Sequence, residues 1–179
     1  MFLSENMAVR LGLELNSFGK TDKAVFNAGT PTELIEETKS SYFIFGLNPG
    51  IEMHMPGTDR LSPYFGAELN FSMKSSSTDI TNKGGNANKA EKYEGCWSDG
   101  TNNAYSIFGL NLLFGADYYI TKSLYMGAEM GLGFQSRSGK DITVTTTTGG
   151  VSNSVKAPGG SETNLGVNFN SAIRLGWAF

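Results

Sequence analysis

Several residue types that build catalytic sites and membrane helices are scarce in this chain of 179 residues. With one cysteine, it can form neither a disulfide within the chain nor a cysteine-based metal site. Charged residues make up only 17%, and the net charge of −3 comes without a basic cluster, which argues against nucleic-acid binding. No stretch reaches the ~18–20 consecutive apolar residues of a transmembrane helix. Disorder is excluded as well, because aromatic residues reach 12% and the net charge is small.

The most persistent pattern in the sequence is an alternation of apolar and polar residues with a period of two. It runs through six segments, 7–16, 42–55, 63–74, 106–120, 124–137 and 165–179. A period of two is typical of a strand with one apolar face, and most of these segments exceed the usual soluble strand of about 5–6 residues. The chain is therefore predicted to be all-β, with six long antiparallel strands in a meander.

The connections between these segments alternate in length. Residues 56–62 and 121–123 predict tight turns, whereas 17–40, 75–104 and 138–163 predict long polar loops. Within the first loop, Thr30-Pro31-Thr32-Glu33 resembles a helix cap and predicts a short helix near 31–38. In the third, the β-branched run Ile142 to Thr148, broken by Gly149-Gly150, predicts that strands 5 and 6 extend into a protruding hairpin. Cys96 is expected to be a thiol in a surface loop.

The face opposite the apolar residues contains many glycines, which weaken a sheet exposed to water but suit a crowded barrel interior. Aromatic residues lie towards the strand ends, as in the interfacial girdles of membrane barrels. Both features favour a barrel whose apolar face contacts lipid, over a soluble lipocalin-like barrel or a sandwich.

The last strand carries a recognisable pattern, in which alternating apolar positions lead to a terminal Phe. With this strand and the alternation, the chain resembles the small outer-membrane β-barrel domains of the OmpA/OmpX-like, porin-like superfamily. The resemblance implies an antiparallel up-and-down transmembrane β-barrel in the bacterial outer membrane. It also implies that the barrel-assembly machinery reads a C-terminal signal, here Phe169, Ile173, Leu175, Trp177 and Phe179.

An internal repeat bears on the number of strands. The segment 2–15 matches 119–132, which contains a strand end, a tight turn and the next strand, so Phe2-Leu3 is predicted to be the tail of a strand. Six strands also fall short of the eight found in the smallest bacterial barrels. Our hypothesis is an eight-stranded parent, of which residues 1–179 form one domain lacking the signal peptide and the first hairpin. The alternative is a six-stranded assembly closed by another chain.

Charged residues on the glycine-rich face are able to pair across a lumen. With the single histidine, they define a predicted lumen polar network: Arg10, Glu14, Glu52, His54, Glu68, Asp117, Glu129, Arg137 and Arg174. Buried charges must pair or be hydrated, so this network is predicted to plug an interior too narrow for solute flow. The alternative is a cation-selective leak.

Catalytic and cofactor signals are weak. Any histidine-based catalysis must use His54, whose inward position keeps it away from lipid, so no enzyme and no catalytic residue is predicted. The acidic loop residues lack the spacing of a calcium loop, and no metal or cofactor is expected.

The function predicted from the sequence is that of a closed outer-membrane barrel, acting as a structural or interaction component of the envelope. The alternative is a narrow channel or a transporter of small ligands. Long loops are expected outside the cell and short turns in the periplasm. The expected partners are outer-membrane lipids and lipopolysaccharide, the barrel-assembly machinery, and an envelope protein bound by the long loops.

Overall fold

The computed structural model describes residues 2–4, 6–84 and 89–177, in which ten strands form one antiparallel sheet. The strands are β1 (Phe2–Ser4), β2 (Met7–Phe26), β3 (Leu34–His54), β4 (Leu61–Lys83), β5 (Lys89–Glu94), β6 (Tyr105–Tyr119), β7 (Leu124–Gly139), β8 (Ile142–Thr148), β9 (Val151–Ala157) and β10 (Ser161–Trp177). Within these ranges there is no helix of the length and apolarity needed to cross a membrane. The predicted all-β class is therefore confirmed.

Six of the strands are long, with 15 to 23 residues: β2, β3, β4, β6, β7 and β10. They cover the six alternating segments to within one residue at each end, apart from residues 178 and 179, which lie outside the described residues, so the strand predictions are confirmed. The short β1 pairs antiparallel with the start of β2, as the internal repeat predicted. The structure has ten strands, more than the eight of the hypothesised parent. Only the six long strands carry the alternating apolar residues, however. The eight-stranded parent therefore stays a prediction.

The predicted long loops are mostly sheet, and the predicted helix is wrong. β2 and β3 pair along their whole length, from Met7↔Met53 to Phe26↔Leu34. The connection between them is therefore limited to residues 27–33. The side chain of Glu33 accepts a hydrogen bond from the backbone of Gly29, as in a cap, but the next residue begins a strand. The ladder of β2 and β3 continues from the apolar segment into the polar one because backbone pairing does not require apolar side chains.

The sheet branches at β4. Its first part, Leu61 to Lys74, pairs with β6, whereas Ser77 to Thr81 pairs with β5. From β5 the branch continues through β8 to β9. The turn at Gly149-Gly150, both with positive φ, joins β8 to β9 as predicted. This hairpin pairs with β5, however, and is not a continuation of strands 5 and 6 as expected.

The two faces of the long strands invert the arrangement of a water-soluble domain. One face exposes large apolar side chains, among them Leu13, Ile51 and Phe114. The opposite face buries polar groups, including Glu52 and Asp117. Apolar residues outside and charges inside are expected when the outer surroundings are lipid.

Glycines on the inner face lie opposite long polar side chains of the neighbouring strand. Arg10 pairs with Gly50, and Tyr64 pairs with Gly115. A Cβ atom at Gly115 would overlap the end of the Tyr64 ring, so this ring lies directly over the glycine. The glycines are therefore required for packing, because they make room for the side chains that fill the interior.

The sheet is strongly curved but is not seen closed. Arg10 on β2 and Glu129 on β7 are four strand spacings apart, which would be about 19 Å in a flat sheet, yet their side chains are hydrogen-bonded. In the part of the chain that the structure describes, β1 covers only the first residues of β2, and β10 pairs only with β7. The predicted barrel is thus confirmed as an antiparallel sheet, and its closure is not shown.

Candidate functional site

The centre of the inner face is an ion-pair cluster around one guanidinium group. Arg10 on β2 lies 3.0 Å from Glu52 on β3 and 3.1 Å from Glu68 on β4, and it also contacts Glu129 on β7. The three carboxylate side chains are only 8%, 12% and 5% exposed. Arg10 therefore links four strands across the concave side of the sheet, which the sequence could not indicate because these residues are distant in the chain.

His54 joins this cluster at the end nearest the short turns. Its Nδ1 lies 2.8 Å from the hydroxyl of Ser62, and its Nε2 lies 3.6 Å from a carboxylate oxygen of Glu52. The ring also packs against Tyr64, with 5.4 Å between ring centroids. The histidine is thus buried among polar partners on the inner face.

Tyr64 is a member of the cluster that sequence reasoning missed. It is buried, and its hydroxyl donates a 2.7 Å hydrogen bond to Glu129. Its position on the inner face, opposite Gly115, was a signal that could have identified it. The network was predicted from charged residues alone, and a neutral phenol was therefore left out.

The other predicted network residues lie apart from Arg10. Asp117 is buried on β6, whereas Glu14 is exposed and lies over Gly46. Arg137 lies near the end of β7, 3.2 Å from Glu162 and over the ring of Tyr105. These residues are spread along the inner face and do not form one cluster.

Part of the predicted set lies outside the described residues. These are the side chains of Arg174, Phe169, Ile173 and Trp177, and the whole of Phe179. Of the C-terminal signal, Leu175 is exposed on the apolar face and pairs with Met126.

A polar cavity of about 300 Å³ lies beside the cluster. Glu68 and Glu129 line it together with amide side chains, and Asn70 donates a 2.7 Å hydrogen bond to Asn48 on its wall. A cavity of this polarity suits water, cations or the end of a charged side chain.

Beyond the apolar band, three aromatic rings pack together on the inner face. The rings of Phe18, Tyr42 and Trp97 lie 5.8–6.0 Å apart, and the indole nitrogen of Trp97 donates to the backbone oxygen of Ser41. The segment 95–104 is thus anchored against β3. Sequence reasoning missed this cluster because the segment has no alternation.

The expectation of a surface thiol at Cys96 is wrong. The cysteine is buried, with 3% of its surface exposed, next to the anchored Trp97. Burial, with a smaller effect of Asp99, raises the pKa of the Cys96 thiol. A buried thiol with a raised pKa is a poor nucleophile.

The extended part of the β2–β3 hairpin has its own ion pairs. Glu37 lies 2.6 Å from Lys39 and 3.3 Å from Lys23. Hydrogen bonds from Lys39 and then from Lys23 lower the pKa of Glu37 to about 2. Across the described ranges, no group of three or more histidine, cysteine or acidic residues is arranged to hold a metal ion.

The curved antiparallel sheet, its apolar outer face and its inner ion pairs form the arrangement expected of a porin-like protein. Residues 28–134, more than half of the chain, match the OmpA-OmpF-like porin family, and the chain belongs to that family. No curated protein and no solved structure matches it. Membership points to the outer membrane, and porin-like families are generally non-enzymatic.

Proposed function

We propose that this protein is a closed outer-membrane barrel whose lumen is filled by side chains, and that it acts through its extended strands as a structural or interaction component of the envelope. The observation that carries the proposal is Arg10, which bridges the concave face to Glu52, Glu68 and Glu129. Ion pairs that cross a narrow interior leave little room for solute flow.

The length of the apolar stretch supports insertion of the long strands in a bilayer. On β2 it runs from Met7 to Leu15, nine residues. At a rise of about 3.3 Å per residue and a tilt of about 40°, these residues span about 23 Å, close to the apolar band of about 25 Å in such barrels. Outer-membrane lipids and lipopolysaccharide are therefore the proposed neighbours of this band.

The proposed orientation has the short turns in the periplasm and the extended strands outside the cell. The extended strands, with β5, β8 and β9, offer a polar sheet on which a partner protein of the envelope could bind. The C-terminal strand β10 is proposed to be recognised by the barrel-assembly machinery.

Planar-bilayer recordings on the protein purified from outer membranes test the closed lumen. We expect no steady current from the wild type. The variant Arg10→Ala should admit current because it removes the bridging side chain, whereas Arg137→Ala, which alters an exposed pair, should stay silent. Steady currents through the wild type would refute the proposal.

A narrow cation channel is the second candidate. The cavity of about 300 Å³, lined by Glu68 and Glu129, favours it because carboxylates attract cations. The same recordings decide between the two: a channel requires wild-type currents with cation selectivity that weakens in Glu68→Gln.

A further inference from the structure

The two short turns, 56–62 and 120–123, lie side by side at one end of the sheet. The backbone nitrogen of Tyr119 donates a 2.7 Å hydrogen bond to the carbonyl oxygen of Arg60, one rung beyond the pair Leu61↔Tyr118. Between the turns is a cavity of about 530 Å³, here called the inter-turn cavity. The polar residues that line it include Thr58, Asp59, Arg60, Ser62, Thr121 and Lys122.

The inter-turn cavity brings together two basic residues that are isolated in the sequence. Arg60 is the only Lys or Arg in residues 40–73, and Lys122 is the only one in residues 93–136. Both side chains are exposed. Among the described residues, neither makes an ion pair with a carboxylate, although Asp59 lines the same cavity. Two cations thus face one cavity with their charges available to a ligand.

Two threonine hydroxyls in the same cavity are able to donate. The Oγ1 atom of Thr58 accepts a 3.1 Å hydrogen bond from the backbone of Leu61. The Oγ1 atom of Thr121 accepts a 3.0 Å hydrogen bond from the backbone of Leu124 in the same way. Each hydroxyl is an acceptor in these bonds, so its proton can be directed to a ligand in the cavity. The backbone bonds also hold both oxygen atoms in place.

The donors of the inter-turn cavity suit a phosphate group. A guanidinium group, an ammonium group and hydroxyl protons are all groups that bind phosphate oxygens. A phosphate ester has more acceptor oxygens than a carboxylate, and it can therefore use more of these donors. The single carboxylate, Asp59, suits the ammonium group that a zwitterionic headgroup carries beside its phosphate.

The position of the inter-turn cavity is at the edge of the apolar outer face. Ile120 lines the cavity and is 49% exposed. Leu61 and Tyr118, which form the first rung of β4 and β6, are 42% and 43% exposed. In a membrane barrel, the level where the apolar band ends is the boundary between hydrocarbon and headgroups. Lys and Arg side chains at this boundary reach towards the headgroups.

We infer that the inter-turn cavity binds the phosphate group of a phosphate ester through Arg60 and Lys122, with Thr58 and Thr121 as hydroxyl donors. Because the cavity lies at the edge of the apolar face, a phospholipid of the adjacent leaflet is the expected source of this phosphate. A soluble phosphate ester of the periplasm is the other source. The inference rests on the proposed insertion in the outer membrane and adds one defined ligand site to it.

Native mass spectrometry of the full-length protein, refolded in micelles free of phospholipid, counts the lipids that stay bound. Phosphatidylethanolamine is added in one arm, and diacylglycerol with the same acyl chains is added in the other. We expect one phosphatidylethanolamine and no diacylglycerol to be retained. The double variant Arg60→Gln, Lys122→Gln should bind at least about tenfold more weakly, because two charge-assisted hydrogen bonds are lost. Equal retention of the two lipids, or of phosphatidylethanolamine by the wild type and the double variant, would overturn the inference.

Calorimetry with glycerol 3-phosphate, titrated into the same micelles, tests the soluble source. Binding that requires Arg60 and Lys122, without retention of phosphatidylethanolamine, would support the site and assign it to a soluble ester. Retention of phosphatidylethanolamine with the same requirement would support the site and assign it to the membrane. Failure of the wild type to bind either compound would overturn the inference.

The matched control removes two other exposed lysines, in the double variant Lys23→Gln, Lys156→Gln. Their side chains are 61% and 65% exposed, but they lie on the extended strands and pair with carboxylates. This control should bind phosphatidylethanolamine like the wild type, and an equal loss would show that only the net charge matters and would refute the site. The exchange Arg60→Lys, Lys122→Arg keeps both charges and should keep the binding. The hydrogen bond between the turns uses backbone atoms of Arg60, so none of these variants removes it.

These outcomes are separable from those of the proposed function. Wild-type conductance in planar bilayers tests whether the lumen is closed, and it does not depend on a ligand between the short turns. A silent barrel that binds no phosphate ester would refute the inference and leave the closed lumen in place. A conducting barrel that retains phosphatidylethanolamine through Arg60 and Lys122 would refute the closed lumen and leave the site in place.

Discussion

Removal of the Arg10 side chain is the perturbation whose cost follows most directly from the structure. Arg10→Met keeps an unbranched apolar stem but leaves Glu52, Glu68 and Glu129 without their shared guanidinium group. The three carboxylates are nearly buried, and removal of one partner from a buried pair costs about 3–5 kcal/mol. We expect the free energy of unfolding to fall by that amount.

The matched control is Arg137→Met. Its ion pair with Glu162 has a similar distance, 3.2 Å, but the two side chains are 42% and 70% exposed. Exposed pairs contribute about 0–1 kcal/mol. The two variants therefore remove the same residue type but differ in the burial and the number of the partners that are lost.

The measurement is urea unfolding of the full-length protein refolded in lipid vesicles, followed by tryptophan fluorescence. With an m-value of about 2 kcal/mol/M, Arg10→Met should lower the midpoint by about 2 M and Arg137→Met by less than about 0.5 M. A fourfold variant that also carries Glu52→Gln, Glu68→Gln and Glu129→Gln should recover part of the loss, because it leaves no buried charge uncompensated. Equal midpoints for the two single variants would refute the view that Arg10 holds the interior together.

Three further outcomes are expected. The Glu37 carboxyl should titrate by NMR with a midpoint of about 2; its folded pKa is depressed, so its contribution to stability is present above pH of about 4.5 and is lost as the pH falls towards 2. Lys39→Met should move this midpoint up, and a wild-type midpoint near the ordinary value would contradict the ion pair. Cys96 should react with a maleimide far more slowly in the folded protein than in urea, and equal rates would show that segment 95–104 is not anchored. Gly115→Val should cost about 1–3 kcal/mol in urea unfolding, because its side chain overlaps the ring that lies over it; Gly19→Val, with no atom nearer than 3.9 Å, is the control that should be tolerated better.

The strands and their faces could be predicted from the sequence because a period of two is a local property. Leu11, Leu13 and Leu15 lie on one face wherever the strand pairs, and Arg10 then lies on the other. The sequence was therefore sufficient to predict which residues lie on the inner face.

The contacts on that face were not predictable, because they depend on register and curvature. Arg10 meets Glu129 only if five strands are paired in the observed register and the sheet bends by enough to bring β2 near β7. Neither the register nor the bend is encoded in a single segment. For the same reason the pairing of the predicted β8–β9 hairpin with β5, and of β5 with β4, could not be predicted from the sequence.

The hairpin turn of β2 and β3 shows how a local signal can be correct in part. The hydroxyl of Thr30 accepts a hydrogen bond from the backbone of Thr32, as at a helix start, and Glu33 accepts one from the backbone of Gly29, one residue before the predicted cap. A helix did not follow, because Leu34 onwards pairs with β2 and β4 on both sides. Two ladders of backbone hydrogen bonds outweigh a single cap, whose contribution is about 1 kcal/mol.

The glycines connect the composition to the proposed function. A wide lumen would have no need for glycine opposite each long polar side chain, because side chains could extend into water. Here Tyr64 lies over Gly115, and Arg10 lies over Gly50, so these side chains pack against the inner surface of the sheet. An interior packed in this way is expected to resist solute flow. If the lumen is closed as proposed, the features particular to this protein are expected in its extended strands, which lie beyond the apolar part of the sheet.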